Sequence, residues 1–249
     1  VGLVLVCGLL AGRAAADEAP ETLRYRVVAT YPHDRRAFTQ GLIYRNGVLF
    51  ESTGRRGQST LRRVDLATGR PLKRVSLADR YFAEGLASLG GRLFQLTWTS
   101  GEAFVYRQSD LARVGRFRYE GEGWGLTDDG THLVMSDGSA TLSFREPETF
   151  EVTKRVVVRD RGRLVPLLNE LEYVDGSLFA NVWPTPWIAR IAPETGVVTG
   201  WLDLSSLARD MQRHRGADVL NGIAHQPVTG HLLVTGKNWP RLFALELVP

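Results

Sequence analysis

The chain has 249 residues, 43% of them apolar and 23% charged, with a formal net charge of +4, the make-up of folded domains rather than of a disordered or fibrous chain. So small a charge, carried by basic residues spread along the sequence, excludes a general nucleic-acid surface. Cys7 is the only cysteine, which rules out a disulfide framework or a thiolate metal site.

In chain order, the first segment is apolar through Leu10, followed by Ala14-Ala15-Ala16 and then Asp17 and Glu18. This is an export-signal pattern lacking its charged start, with cleavage expected near Ala16, and it is too short to span a bilayer. Val6 argues against lipid attachment at Cys7. A periplasmic or secreted protein is expected, with no membrane contact once residues 1–16 are removed, and residues 21–249 are read as one domain.

Next comes a candidate strand, "LRYRVVATYP" (23–32), and then a phrase that occurs five times: "QGLIYRNGVLFESTG", "EGLASLGGRLFQLTW", "WGLTDDGTHLVMSDG", "NELEYVDGSLFANVW" and "NGIAHQPVTGHLLVTGK". Each copy passes a turn signal (Asn46-Gly47, Gly90-Gly91, Asp129-Gly130, Asp175-Gly176, Thr229-Gly230) and closes on an apolar run, which is the signature of a β-hairpin. Eight residues separate Gly41 from Leu49, Gly85 from Leu93, Gly125 from Leu133 and Glu170 from Leu178; Gly222 to Leu232 is two longer.

A second strand pair follows each of the first four copies, and the openings lie 44, 40, 45 and 52 residues apart. Four strands per 40–50 residues is the period of a propeller blade. The fold class is therefore all-β, a five-bladed β-propeller with four-stranded blades. Only "RLFALELV" follows the fifth copy, so the N-terminal strand is expected to complete that blade and close the ring. No helix is expected beyond a turn or two in "SSLARDMQRHRG" (205–216), a polar insertion read as a rim loop.

The register places five opening positions, Gln40, Glu84, Trp124, Asn169 and Asn221, at one mouth of the central channel. In a regular hairpin each lies beside its closing position: Gly54, Trp98, Gly138, Trp183 and Lys237. Lys237 is one of only three lysines, with Lys73 and Lys154, against 28 arginines. Positions with a purely structural role in a ring should repeat one residue type, but these diverge into a carboxylate, amides, an ammonium and indoles, as expected of a site grafted on a symmetric scaffold. Tryptophan walls with a few polar groups suit a small-ligand pocket. Burial there should raise the Glu84 pKa toward neutrality and suit it to proton transfer. Lys237, Asn169 and Gln40 offer donors to a developing oxyanion. No G-x-S-x-G, phosphate loop or histidine ligand spacing is present.

At "FTQGL" (38–42), "FAEGL" (82–86), "GWGL" (123–126), "LNELE" (168–172), "NVWPT" (181–185), "LNGIA" (220–224) and "TGKNWP" (235–240), the sequence resembles the plant and bacterial type of glutamine cyclotransferase. The resemblance runs from about Tyr25 to the end of the chain. It implies a five-bladed propeller that converts an N-terminal glutamine of peptides or proteins to pyroglutamate and releases ammonia. Glu84 would be the general acid/base, and Gln40, Asn169 and Lys237 would bind and polarise the side-chain amide. Phe38, Phe82, Trp98, Trp124 and Trp183 would wall the pocket, with Asn221 counted among the substrate-binding positions. No cofactor or catalytic metal is implied, and a monomer is expected. Two other readings remain at this point: a non-enzymatic periplasmic ligand-binding propeller, and a metal-dependent propeller lactonase or hydrolase. The four polar residues together weigh against the first; the single carboxylate among the openings weighs against the second.

Overall fold

The computed structural model describes residues 19–248, so the export-signal reading of residues 1–16 lies outside them. After β1 (Glu21–Pro32), blade one comprises β2 (Thr39–Arg45), β3 (Val48–Thr53), β4 (Thr60–Val64) and β5 (Pro71–Ser76). Blade two holds β6 (Ala83–Leu89), β7 (Arg92–Thr97), β8 (Glu102–Arg107) and β9 (Arg113–Arg118). Blade three holds β10 (Leu126–Asp128), β11 (Leu133–Ser136), β12 (Thr141–Arg145) and β13 (Val152–Val157). A small hairpin, β14 (Arg159–Asp160) and β15 (Arg163–Leu164), then leads to blade four: β16 (Leu168–Val174), β17 (Ser177–Val182), β18 (Trp187–Ile191) and β19 (Val198–Asp203). Helix α1 (Ser205–Gln212) precedes β20 (Leu220–Gln226), β21 (His231–Gly236) and β22 (Arg241–Val248).

β1 pairs antiparallel with β22 from Arg24 to Pro32 and so supplies the outer strand of blade five. Its first residues, Glu21 to Leu23, also pair in parallel with Gly200 to Leu202 of β19. That second pairing joins blades four and five into one eight-stranded sheet and was not expected from the sequence. The ring is thus a five-bladed β-propeller closed between the two chain ends.

The inner hairpins turn as their sequences dictate. Asn46 and Gly47 (φ 51° and 79°), Gly90 and Gly91 (59° and 73°), and Asp175 and Gly176 (46° and 82°) all have positive φ, the left-handed pair that a two-residue type I′ turn requires. Five apolar clusters fill the five seams between neighbouring blades. The 205–216 segment has the turn or two of helix expected there, but it is not merely a rim loop. It holds an eight-residue helix, and Ala208 and Met211 are buried in the core between blades four and five with Leu204. Two small or flexible apolar residues one turn apart suffice for that contact, although the segment is polar on average.

The inner strands meet closely around the axis. A Cβ at Gly125 would lie 1.9 Å from the Asn169 carbonyl oxygen, so only glycine permits that approach of blade three to blade four. Blade four alone carries a longer side chain at this level, Glu170, fully buried. Its carboxylate accepts hydrogen bonds from the backbone N–H of Leu42 in blade one (3.1 Å) and of Ile223 in blade five (2.7 Å). One level further from the mouth, the Glu172 carboxylate accepts from the His225 backbone N–H (2.9 Å). Burial pushes the Glu170 carboxyl well above its ordinary pKa, with the Glu172 charge adding to it. Glu172 itself is pushed up to about 8 by burial, against the opposing charge of Arg45.

Candidate active site

The opening residues do not lie beside their closing partners as a regular hairpin would have them. Register shifts interrupt β2–β3 between Thr39 and Gly41, β6–β7 between Ala83 and Leu86, β16–β17 between Leu168 and Leu171, and β20–β21 between Leu220 and Ile223. Gln40, Glu84, Asn169 and Asn221 all fall within these bulges. Each closing residue therefore donates its backbone N–H to a residue two before the opening one: Gly54 to Phe38, Trp98 to Phe82, Trp183 to Leu167 and Lys237 to Val219, at 2.8–2.9 Å. A bulge bends the strand and re-aims the side chain it carries. Here it turns four side chains out of the ladder and toward the axis, in four different blades.

The result is a cavity of about 480 Å³ lined by Phe38, Gln40, Phe82, Glu84, Trp98, Trp124, Asn169, Trp183 and Lys237, and also by Pro184, Asp218 and Val219. Nine of the ten residues singled out from the sequence meet there. Asn221 does not line it. Fully buried behind Gln40, it donates from Nδ2 to the Gln40 Oε1 (3.1 Å) and to the Thr39 carbonyl (3.0 Å). Gln40 in turn donates from Nε2 to Glu84 Oε1 at 2.8 Å. An amide whose oxygen is held by Asn221 must present its N–H to the carboxylate, so Asn221 fixes the orientation of Gln40.

The polar groups sit at the buried end of the cavity and the aromatics toward its mouth. Glu84, Gln40, Asn169 and Lys237 are all buried, whereas Phe38, Phe82, Trp98 and Trp124 are half-buried and Trp183 is exposed. Burial raises the Glu84 carboxyl well above its ordinary value; Lys237 and the Gln40 hydrogen bond oppose that, and the Glu122 charge adds to it. Burial likewise lowers the Lys237 ammonium, against the attraction of Glu84 and Asp218. Desolvation therefore drives both groups toward their neutral forms, while their mutual attraction favours the ion pair. The Asn169 Oδ1 is buried and accepts no hydrogen bond from the protein.

The aromatic walls brace one another edge to face. Ring centroids lie 6.1 Å apart for Phe38 and Phe82, 5.8 Å for Phe82 and Trp98, and 5.9 Å for Trp124 and Trp183. The Lys237 Nζ sits 5.0 Å from the Phe38 centroid, within cation–π range. The divergence of the closing positions also has a steric cause. A Cβ on Gly138 would fall 2.6 Å from the Trp124 ring, and one on Gly54 would fall 2.3 Å from Phe82, so those two blades keep glycine to admit the neighbouring aromatic.

Glu122 was not singled out from the sequence. Glu122 Oε2 accepts both the Trp98 indole N–H (2.6 Å) and the Trp124 indole N–H (2.8 Å). It lies in the connection before the third phrase, outside the repeat, and the only hint is its place two residues before Trp124. Pro184, Asp218 and Val219 were missed for the same reason, since they lie in loops just beyond the repeated phrases. Among the described residues, no group of three or more His, Cys, Asp or Glu side chains is gathered closely enough to hold a metal ion.

Comparison with known proteins shows the family and the fold. A family model described as "Glutamine cyclotransferase" matches residues 2–247. The glutaminyl-peptide cyclotransferase of Arabidopsis thaliana is 48% identical over 225 residues, which span 89% of this chain and 70% of that protein. The crystal structure of Myxococcus xanthus glutaminyl cyclase superposes with a TM-score of 0.86 at 44% identity, covering 92% of this chain and 98% of the other.

Proposed function

This chain belongs to the glutamine cyclotransferase family, which forms pyroglutamate from N-terminal glutamine, and from that premise we propose that Glu84 is the general acid/base of the reaction. The observation that carries the proposal is a buried carboxyl of raised pKa at the inner end of an aromatic-walled cavity, within the field of Lys237 and held by Gln40. A carboxyl whose pKa lies near the working pH exchanges protons in both directions most effectively.

The reaction is an intramolecular acyl transfer. The neutral α-amine attacks the side-chain amide carbon and the new N–C bond closes a five-membered ring. Glu84 accepts the proton that the attacking nitrogen sheds and returns one to the amide nitrogen, which leaves as ammonia when the old C–N bond breaks. Lys237 stabilises the oxyanion of the tetrahedral intermediate, together with the Asn169 amide group; donors fixed before the reaction stabilise the charge without reorganisation. The tryptophan and phenylalanine walls hold the glutamine side chain folded back on its own amine, which removes orientational entropy from the barrier. Asn221 acts through Gln40 and is a positioning residue.

Glu84→Gln keeps the shape and the capacity to hydrogen-bond but removes the proton exchange. Ammonia release from a Gln-initiated peptide should fall by about 10²–10⁴-fold, with the circular dichroism spectrum unchanged. Turnover within a few-fold of the parent would sink the assignment of Glu84.

A further inference from the structure

The product keeps whatever chain follows the glutamine, so that chain must leave the reaction cavity over its rim. Two depressions adjoin the rim beside Pro184. One, of about 200 Å³, runs toward helix α1 and is lined by Ser205, Arg209 and Gln212. The other is larger, about 740 Å³, and shares both Trp183 and Pro184 with the reaction cavity. It passes between the β14–β15 hairpin and blade four, with Leu164, Leu167 and Trp201 among its walls.

This larger groove is unlike the rest of the surface. Leu164 (55% exposed), Leu167 (37%), Trp183 (38%) and Trp187 (36%) all lie in or beside it, and they include the two tryptophans found among the exposed large apolar side chains of the described residues. Its floor is fixed: Trp201 meets Trp187 edge to face at 6.2 Å and donates its indole N–H to Asp160 Oδ2 at 3.1 Å. Apolar side chains clustered on a surface and continuous with a binding cavity mark a recognition site. Its rim is net positive: Arg161 forms an ion pair with Asp160 (3.3 Å), which also accepts the Trp201 indole N–H, and Arg163 adds a further positive charge.

We propose that this groove is a subsite for the peptide chain downstream of the N-terminal glutamine, selecting substrates with a large apolar or aromatic residue soon after the glutamine and an acidic residue beyond it. The inference rests on the cyclotransferase reading of the neighbouring cavity. The chain leaves over Trp183, whose indole lines both spaces. Its apolar side chain packs on Leu164, Leu167 and Trp201, and its carboxylate meets Arg161 and Arg163.

The test is steady-state ammonia release from Gln-Gly, Gln-Gly-Phe-Glu and Gln-Gly-Gly-Lys. The parent should give kcat/KM about tenfold higher for Gln-Gly-Phe-Glu than for Gln-Gly, the effect of one well-packed apolar side chain in a pocket, with Gln-Gly-Gly-Lys no better than Gln-Gly. Trp201→Ala should remove that advantage by raising KM for the longer peptide while leaving Gln-Gly turnover unchanged. Leu164→Asp, at an exposed hairpin position, should act in the same direction and serves if Trp201→Ala does not fold. Equal kcat/KM for Gln-Gly and Gln-Gly-Phe-Glu in an active parent would overturn the subsite alone. A folded parent that cyclises none of the three would overturn the cyclotransferase reading and the subsite with it.

Discussion

Two buried carboxylates in neighbouring blades illustrate opposite uses of the same group. Glu84, at the channel mouth, has one hydrogen-bond donor, Gln40, and burial leaves its carboxyl well above the usual range. Glu51, on β3 near the seam between blades one and five, is just as buried. It is held by His33 Nε2 (2.9 Å), Thr39 Oγ1 (2.7 Å) and Arg62 (3.2 Å). Burial alone would raise it too, but Arg62, His33 and these hydrogen bonds outweigh the burial and pull it down to about 2. Burial is common to both, and the number of charged donors decides the outcome. A carboxylate surrounded by cations is a fixed anion that ties the structure together; one left with an amide and a buried lysine can exchange a proton.

The strongest way to break this contrast is to neutralise the fixed anion. Glu51→Gln leaves the buried Arg62 with only Asp34, at 2.8 Å, as a charged partner, and replaces the anionic acceptor facing His33 Nε2 with a neutral amide. Disrupting a buried pair costs about 3 kcal/mol, and a carboxyl held near 2 from an ordinary 4.5 corresponds to the same ~3 kcal/mol by linkage. Urea unfolding at neutral pH should show that loss, while turnover per folded molecule stays near the parent's. Glu84→Gln should do the reverse, abolishing turnover at little cost in stability, because it relieves a buried carboxyl of its charge. A Glu51→Gln protein that is as stable as the parent but inactive would reverse the assignment of the two residues.

A smaller effect follows from pH. The depressed Glu51 carboxyl contributes stability that is complete above its unfolded value near 4.5 and is lost as pH falls toward about 2. Glu84 and Glu170 have the opposite sign: their raised folded values favour the neutral form, so folding loses stability as pH rises above 4.5 toward those values. His33, raised despite burial by the Glu51 charge and hydrogen bond, adds stability below its ordinary 6.5 that fades as pH climbs through its folded value. Stability should therefore peak in mildly acidic solution and fall on both sides. Glu51→Gln should flatten the acid limb and also diminish the His33 contribution, which depends on the Glu51 charge; thermal melts from pH 2 to 8 on both proteins would reveal an unchanged acid limb if Glu51 is not the group responsible.

How much of this was legible in the sequence follows from what repeats. The blades, their hairpin turns and the closing strand were readable because turn chemistry and hydrophobic spacing recur at a fixed register. The chemistry at the mouth was readable because it breaks that recurrence. The bulges were hidden because they fall at the phrase openings and leave no mark on the spacing: the third phrase, whose strands pair without a register shift, keeps the same eight residues from Gly125 to Leu133 as the first, second and fourth. Glu170 stood in plain view at a position that is glycine in the other four phrases, but its span to Leu42 and Ile223 depends on how narrowly the inner strands converge. Asn221 repeats the polar pattern of the openings yet sits one layer back, because Gln40 occupies the space in front of it.

Glu122 offers the finest distinction between holding a charge and holding a shape. One carboxylate oxygen fixes two indoles, Trp98 and Trp124, on adjacent sides of the cavity, and its charge also contributes to the raised Glu84 carboxyl. Glu122→Ala removes both hydrogen bonds, each worth about 1 kcal/mol, and frees two walls of the pocket; KM should rise by about fivefold or more, with a smaller change in kcat. Glu122→Gln keeps an oxygen that accepts the indole N–H groups and removes only the charge. KM should then hold, while the acid limb of the kcat/KM profile moves to lower pH, because Glu84 loses a repelling neighbour and ionises more readily. An identical response to both substitutions would mean that Glu122 acts on the site through its charge alone.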